Sequence, residues 1–199
     1  MRERIESPND YRWIANAAAL LLSGGLAGYI IAVEGGLPRP VPSAPASTAT
    51  AVPGAVVDES QLRAYRDILA RDPRNRQAAV GAGNLLYDAQ RYQEAIGFYQ
   101  QALAIEPSDI GVSTDLGTAL WYAGRADEAL AQYERSLTLS PTHAQTLFNV
   151  GIVRADGKHD YAGAIAAWET LLKTNPDYPA VTRVQSLMAD ARAKTSSTR

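Results

Sequence analysis

The sequence predicts an all-α protein: a solenoid of antiparallel helix pairs carried behind one membrane-spanning helix. Three observations lead there. A set of Pro, Gly, Ala and aromatic positions recurs every 34 residues, an uncharged run of 21 residues lies near the N-terminus, and a Pro-rich stretch separates the two. The totals are compatible with this and exclude other classes. The 199 residues carry 19 Lys+Arg against 21 Asp+Glu, a formal charge of -2, with no Cys and two His. Zero Cys excludes disulfides, thiolate metal sites, cysteine-linked haem and Cys nucleophiles. The near-neutral charge argues against broad nucleic-acid binding, which needs a basic surface.

Residues 1–12 form a short N-terminal segment. Trp13 to Val33 then read WIANAAALLLSGGLAGYIIAV, with Asn16 the most polar member. At about 1.5 Å per residue the run spans roughly 31 Å, the thickness of a bilayer core, and it is apolar on every face. It is longer than the apolar region of a cleaved signal, and no small-residue cleavage site follows promptly. The expectation is a retained transmembrane helix over 13–33. Arg2, Arg4 and Arg12 precede it while only Arg39 follows closely, so the N-terminus stays cytoplasmic and the rest of the chain crosses. In a Gram-negative bacterium this gives a single-pass inner-membrane protein with a periplasmic head. Gly24, Gly28 and Ala32 lie four residues apart and would admit a second membrane helix closely.

Residues 34–56 hold five Pro among many Ala, Ser and Thr. Pro removes donors and fixes φ, so the stretch is expected to be a semi-extended spacer.

The repeat fills the remainder. Pro73, Pro107 and Pro141 are 34 residues apart, and the same shift pairs Gly83 with Gly117, Leu86 with Leu120, Glu94-Ala95 with Glu128-Ala129, and Tyr99 with Tyr133. Gly117 maps onto Gly151; beyond it one residue is inserted, so Ala129, Tyr133 and Pro141 match Ala164, Trp168 and Pro176 at a shift of 35. Glycines on the first helix and alanines on the second allow close packing, large rings fill the space between neighbouring pairs, and each Pro stops a second helix. Residues 57–75 read as an N-terminal capping helix. The repeats follow at 76–109, 110–143 and 144–178, and 179–199 as a C-terminal capping helix and tail, with Val181, Val184, Leu187, Met188 and Ala191 at helical spacing. Arg154, where an apolar residue is usual, and the insertion at Gly157-Lys158-His159-Asp160 predict a longer turn in the third repeat.

This pattern resembles the tetratricopeptide repeat (TPR). It rests on Ala82-Gly83, Leu86, Ala95, Tyr99, Ala102 and Pro107; on Leu116-Gly117, Leu120, Ala129, Tyr133, Ser136 and Pro141; and on Val150-Gly151, Ala164, Trp168, Leu171 and Pro176. The resemblance implies a right-handed solenoid whose first helices line a concave, partner-binding groove. Transferred by register, the groove residues are Gln77, Asn84 and Tyr87; Thr114, Thr118, Trp121 and Tyr122; and Gln145, Phe148, Asn149 and Ile152. The aromatics among them are either anchors for a partner or packing. Val80 and Phe148 stand where chaperone-tail binders of this family want cations, and Asp115 would repel a carboxylate, so that specificity is not expected. His143 and His159 are isolated near turns, Arg71, Arg74 and Arg76 cluster at one turn, and no catalytic, phosphate-binding or metal-binding motif is found. The expectation is a binding protein without enzymatic activity or cofactor. Its partner is a protein or peptide, held near the membrane. Anchor, spacer, three repeats and final helix together resemble the TPR subunits of bacterial cytochrome c biogenesis of the haem-lyase type, which implies handling of apocytochrome. An accessory of the secretion translocon or of envelope assembly, and a structural subunit of a membrane complex, share the layout.

Overall fold

The computed structural model describes residues 57–197, and the membrane run, the spacer and the Gly24, Gly28, Ala32 stripe lie outside them. The described residues form eight helices and no strand, a TPR-like solenoid. α1 spans Glu59–Arg71, α2 Arg76–Asp88, α3 Tyr92–Ile105, α4 Ile110–Tyr122, α5 Ala126–Leu139, α6 Ala144–Ile152, α7 Tyr161–Thr174 and α8 Val181–Ser197. None of these helices is long and apolar enough to cross a membrane.

The connections follow from turn chemistry. Each of α1, α3, α5 and α7 ends in a four-residue turn with Pro second: Asp72 to Asn75, Glu106 to Asp109, Ser140 to His143 and Asn175 to Tyr178. In each, the fourth N–H bonds the first carbonyl, at 3.0, 3.3, 3.1 and 3.1 Å. Pro presets the φ that the second position needs and has no N–H to continue the helix. In the first two turns the last residue then caps the next helix. Asn75 Oδ1 accepts from the Ala78 N–H at 3.0 Å, and Asp109 Oδ1 from the Val112 N–H at 2.9 Å. One short residue thus ends a helix pair and begins another. Arg76, of the basic trio, pairs with Glu106 at 2.7 Å and with Asp109, and so joins this turn to the preceding one.

Within a pair the turn is tighter. Gln90 and Gly124 take φ of 60° and 79°, and the next N–H reaches back, Arg91 to the Leu86 carbonyl and Arg125 to the Leu120 carbonyl, at 2.8 and 2.9 Å. This is a Schellman closure, in which a left-handed residue lets helix-end carbonyls be satisfied. Neither α3 nor α5 has a side-chain N-cap; instead Arg91 and Arg125 grip Glu94 and Glu128, three residues on, at 2.6–2.7 Å. In the third repeat the inserted residue is absorbed locally. α6 runs into a π-helical turn, Val153–Gly157, and the Asp160 N–H bonds the Arg154 carbonyl at 2.8 Å, one residue further back than its equivalents. A π turn holds one more residue than an α turn, so the register of α7 is restored.

The core lies between the two helices of each pair. Ala95, Ala129 and Ala164 are fully buried. The rings of Tyr99, Tyr133 and Trp168 press on Gly83, Gly117 and Gly151 of the same pair; a Cβ on Gly83 would come 2.7 Å from Tyr99. This corrects the expectation that the three rings fill space between neighbouring pairs: the glycines leave the slot into which each ring fits. α8 packs on α7 through Val184, Met188 and Ala191, all buried.

Candidate functional site

The eleven candidate groove residues sit on α2, α4 and α6, the first helices of the three pairs, and their side chains fall into three groups.

The first group is committed to holding the pairs together. Tyr99 donates its hydroxyl proton to Asn84 Oδ1 at 2.8 Å. One repeat later Thr118 plays the same part. Its own proton goes to the Thr114 carbonyl at 2.9 Å, so the Tyr133 hydroxyl at 3.0 Å and Asn149 Nδ2 at 3.1 Å must both donate to Thr118 Oγ1. Asn84, Thr118 and Asn149 therefore orient buried rings and tie α4, α5 and α6. Thr114 is fully buried and bonds the Ile110 carbonyl at 2.8 Å. With that proton spent, Thr146 donates to Thr114 at 2.7 Å, and the His143 Nδ1–H at 2.8 Å donates to Thr146. Thr146 had no place among the candidates. Its only signal in the sequence is a hydroxyl where Ala78 and Val112 stand in the earlier repeats.

The second group is buried by packing. Phe148 is 4% exposed beneath Tyr178, with ring centroids 6.1 Å apart, and under the Arg183 guanidinium at 5.7 Å. Its carbonyl accepts the Trp168 indole N–H at 3.1 Å. Ile152 is also buried. Tyr87 is buried too, and with Tyr122 and Tyr92 it builds an aromatic cluster. Tyr92 and Tyr122 stack at 5.0 Å, and Tyr87 meets both edge-on at 5.4 and 6.0 Å. Tyr92, the first residue of α3, falls outside the groove register, which covers first helices only. So Tyr87, Thr114, Phe148 and Ile152 are buried and are not open groove wall.

The third group remains reachable. Gln77 is exposed, and Gln145, Trp121 and Tyr122 are half-buried. Trp121 lies against the π turn, its ring where a Cβ on Gly157 would come within 2.6 Å. Burial pushes the Tyr122 hydroxyl up to about 12 and raises those of Tyr87 and Tyr92 also. These phenols stay protonated near neutral pH and serve as donors and apolar area, not as bases.

His143 is the titratable group to watch. Desolvation holds its pKa below the ordinary value near 6.5. The unfolded chain therefore binds the proton more readily than the folded one, and stability rises with pH through this window. The part of stability due to neutral His143 is present above about pH 6.5 and is lost as pH falls towards the folded value. Melting temperature should drop between about pH 7.5 and pH 5.5, and His143→Gln should flatten that slope. An unchanged slope would mean that the imidazole is solvated. Among the described residues no group of three or more His, Asp or Glu is placed to hold a metal ion.

Helix pairs, Pro-closed turns and glycine-held rings make up a tetratricopeptide-like helical solenoid. The family model described as tetratricopeptide repeat matches residues 62–110 and 114–158, and the chain carries such repeats there. No curated protein matches the chain. Among solved structures, MamA superposes with a TM-score of 0.56 at 18% identity, covering 69% of this chain and 88% of MamA. The type III secretion chaperone SycD of Yersinia enterocolitica, crystallised with a peptide of the translocator YopD, gives 0.56 at 17%, over 65% of this chain and 95% of its own. A thermophilic TPR protein of Thermus thermophilus, TTC0263, gives 0.57 at 16%, over 64% and 71%. At these identities the likeness is one of fold.

Proposed function

We propose that this protein is a membrane-anchored scaffold that holds a peptide or subunit of a partner on the face formed by its first helices. The observation that carries the reading is the TPR-like stack itself, whose successive first helices carry the exposed Gln77 and the half-buried Trp121, Tyr122 and Gln145. Such half-exposed aromatics offer contact area at low entropic cost beside amides that can bond a partner backbone. A protein of similar fold, SycD, has been crystallised with a translocator peptide, which supports peptide holding as the task. The apolar run at 13–33 supports an inner-membrane anchor with a cytoplasmic N-terminus, and the Arg distribution supports a periplasmic head. Within that setting the layout of anchor, spacer, repeats and final helix supports apocytochrome handling in cytochrome c maturation. Service to the secretion translocon is the second reading, favoured by the SycD likeness.

Photo-crosslinking tests this in intact cells, with a reactive residue in place of Gln77 or Gln145, both of which can be altered without opening the core. The expected result is one dominant adduct from both positions. Cytochrome-maturation subunits or apocytochrome would support the first client class and translocon subunits the second. Adducts to neither position, while crosslinkers on the opposite face trap a protein, would overturn the assignment of the face.

A further inference from the structure

A second surface lies on the other side of the solenoid. Between α3 and α5, over the buried side of α4, the structure has a pocket of about 410 Å³, within the range that ligand clefts occupy. Leu103, Leu116 and Leu120 give it an apolar lining, and Leu139, 51% exposed, stands at the rim. None of the eleven candidate groove residues lines it.

Three polar residues meet at the pocket where the neighbouring repeats are apolar. Gln132 stands one period after Phe98, a half-buried ring packed on the core. Ser113 replaces Ala79 of the repeat before and Leu147 of the repeat after, and Ser136 corresponds to Ala102 and Leu171. The Gln132 amide is drawn inward. It is 6% exposed, its Nε2 donates to Ser113 Oγ at 2.6 Å, and Ser136 Oγ lies 2.7 Å from the same atom. A side chain that would otherwise fill the groove is thus folded into its floor. Buried hydroxyls and amides cost stability unless each is bonded, so this network holds one geometry.

That geometry also aims a charge. Gln132 Oε1 accepts from Arg135 at 3.1 Å, which sets the guanidinium on the pocket wall. Arg135 makes no ion pair among the described residues, whereas the other charged liner, Glu128, is taken by Arg125 at 2.6 Å. The pocket therefore combines leucine walls with a polar floor and one cation that makes no ion pair among the described residues.

We propose that this pocket binds an acidic, aliphatic segment of a partner protein. A Leu, Ile or Met side chain of that segment enters between α3 and α5, and a carboxylate a few residues away pairs with Arg135. The site is separate from the first-helix face, so the protein can hold two partners, or two parts of one, at once.

Selection of a phage-displayed random 12-residue peptide library on the detergent-solubilised full-length protein tests this. Enriched peptides should carry Leu, Ile or Met with Asp or Glu within four positions. Ala131→Trp, which fills the pocket from an exposed position, and Arg135→Glu should each weaken their binding at least tenfold with melting unchanged. Arg135→Lys should keep most of it, and Gln77→Ala should have no effect. Enrichment of peptides without carboxylates, equal binding to both variants, or no enrichment at all would overturn the proposal.

Discussion

Trp168→Ala should cost the third repeat about 3–5 kcal/mol, the range for emptying a buried aromatic site. The ring is 1% exposed, lies in the slot left by Gly151, and its N–H bonds the Phe148 carbonyl at 3.1 Å. Truncation leaves a cavity that helix backbones cannot collapse to fill, and it leaves the C-terminal end of the solenoid without its largest buried side chain. The reciprocal change is Gly151→Ala. Helix propensity alone favours it by about 1 kcal/mol, but the new methyl would occupy the space of the indole. Overpacking of this kind costs about 1–3 kcal/mol and more where neither side can move, so the net effect is destabilising. The double variant should be less unstable than the sum of the two, because the methyl then enters the vacated cavity. Urea unfolding of all four proteins measures the coupling, and strict additivity would mean that ring and glycine do not meet.

This pair also shows which parts of the fold were legible beforehand. A large ring recurring at Tyr99, Tyr133 and Trp168, sixteen or seventeen residues after a recurring glycine, marks a helix pair whatever its partner is. The Pro that closes each turn is equally readable, since it acts within four residues. The insertion in the third repeat was visible as a shift from 34 to 35, but its form was not. Whether one extra residue lengthens a loop or widens a helix depends on whether α6 can keep its buried face while its last turn expands, and Val153 and Ala155, both buried, show that it does.

The site was less legible than the fold. Transfer by register says which side of a helix a residue faces and nothing of what else reaches that side. Asn84 and Thr118 do face it, yet the Tyr99 and Tyr133 hydroxyls come through the glycine slots and claim them. Tyr87 faces it and is closed over by Tyr92 from the following helix. The second-helix pocket went unseen for the opposite reason. Gln132, Ser113 and Ser136 carry no signal singly, and only their convergence in space, at 2.6–2.7 Å, marks the pocket.

Phe148→Ala decides between the two roles that its register allows. As groove wall it would be dispensable for folding, and its loss would weaken partner capture with little change in melting. The structure instead places it under the segment that leads into α8, against Tyr178 and Arg183, at 4% exposure. Truncation should then cost about 3–5 kcal/mol and act where α8 is attached. α8 packs on α7 alone among its larger contacts, so the joint at Tyr178–Val181 is where that loss is felt. Hydrogen exchange should show α8 amides losing protection before those of α2 to α5, with proteolysis entering near Pro179. Arg183→Ala should have a small effect by comparison, since a partly exposed cation over a ring contributes about 0.5–1 kcal/mol. If Phe148→Ala left α8 protected and reduced only partner binding, the ring would belong to the binding face, and the cap would be held by Val184, Met188 and Ala191 alone.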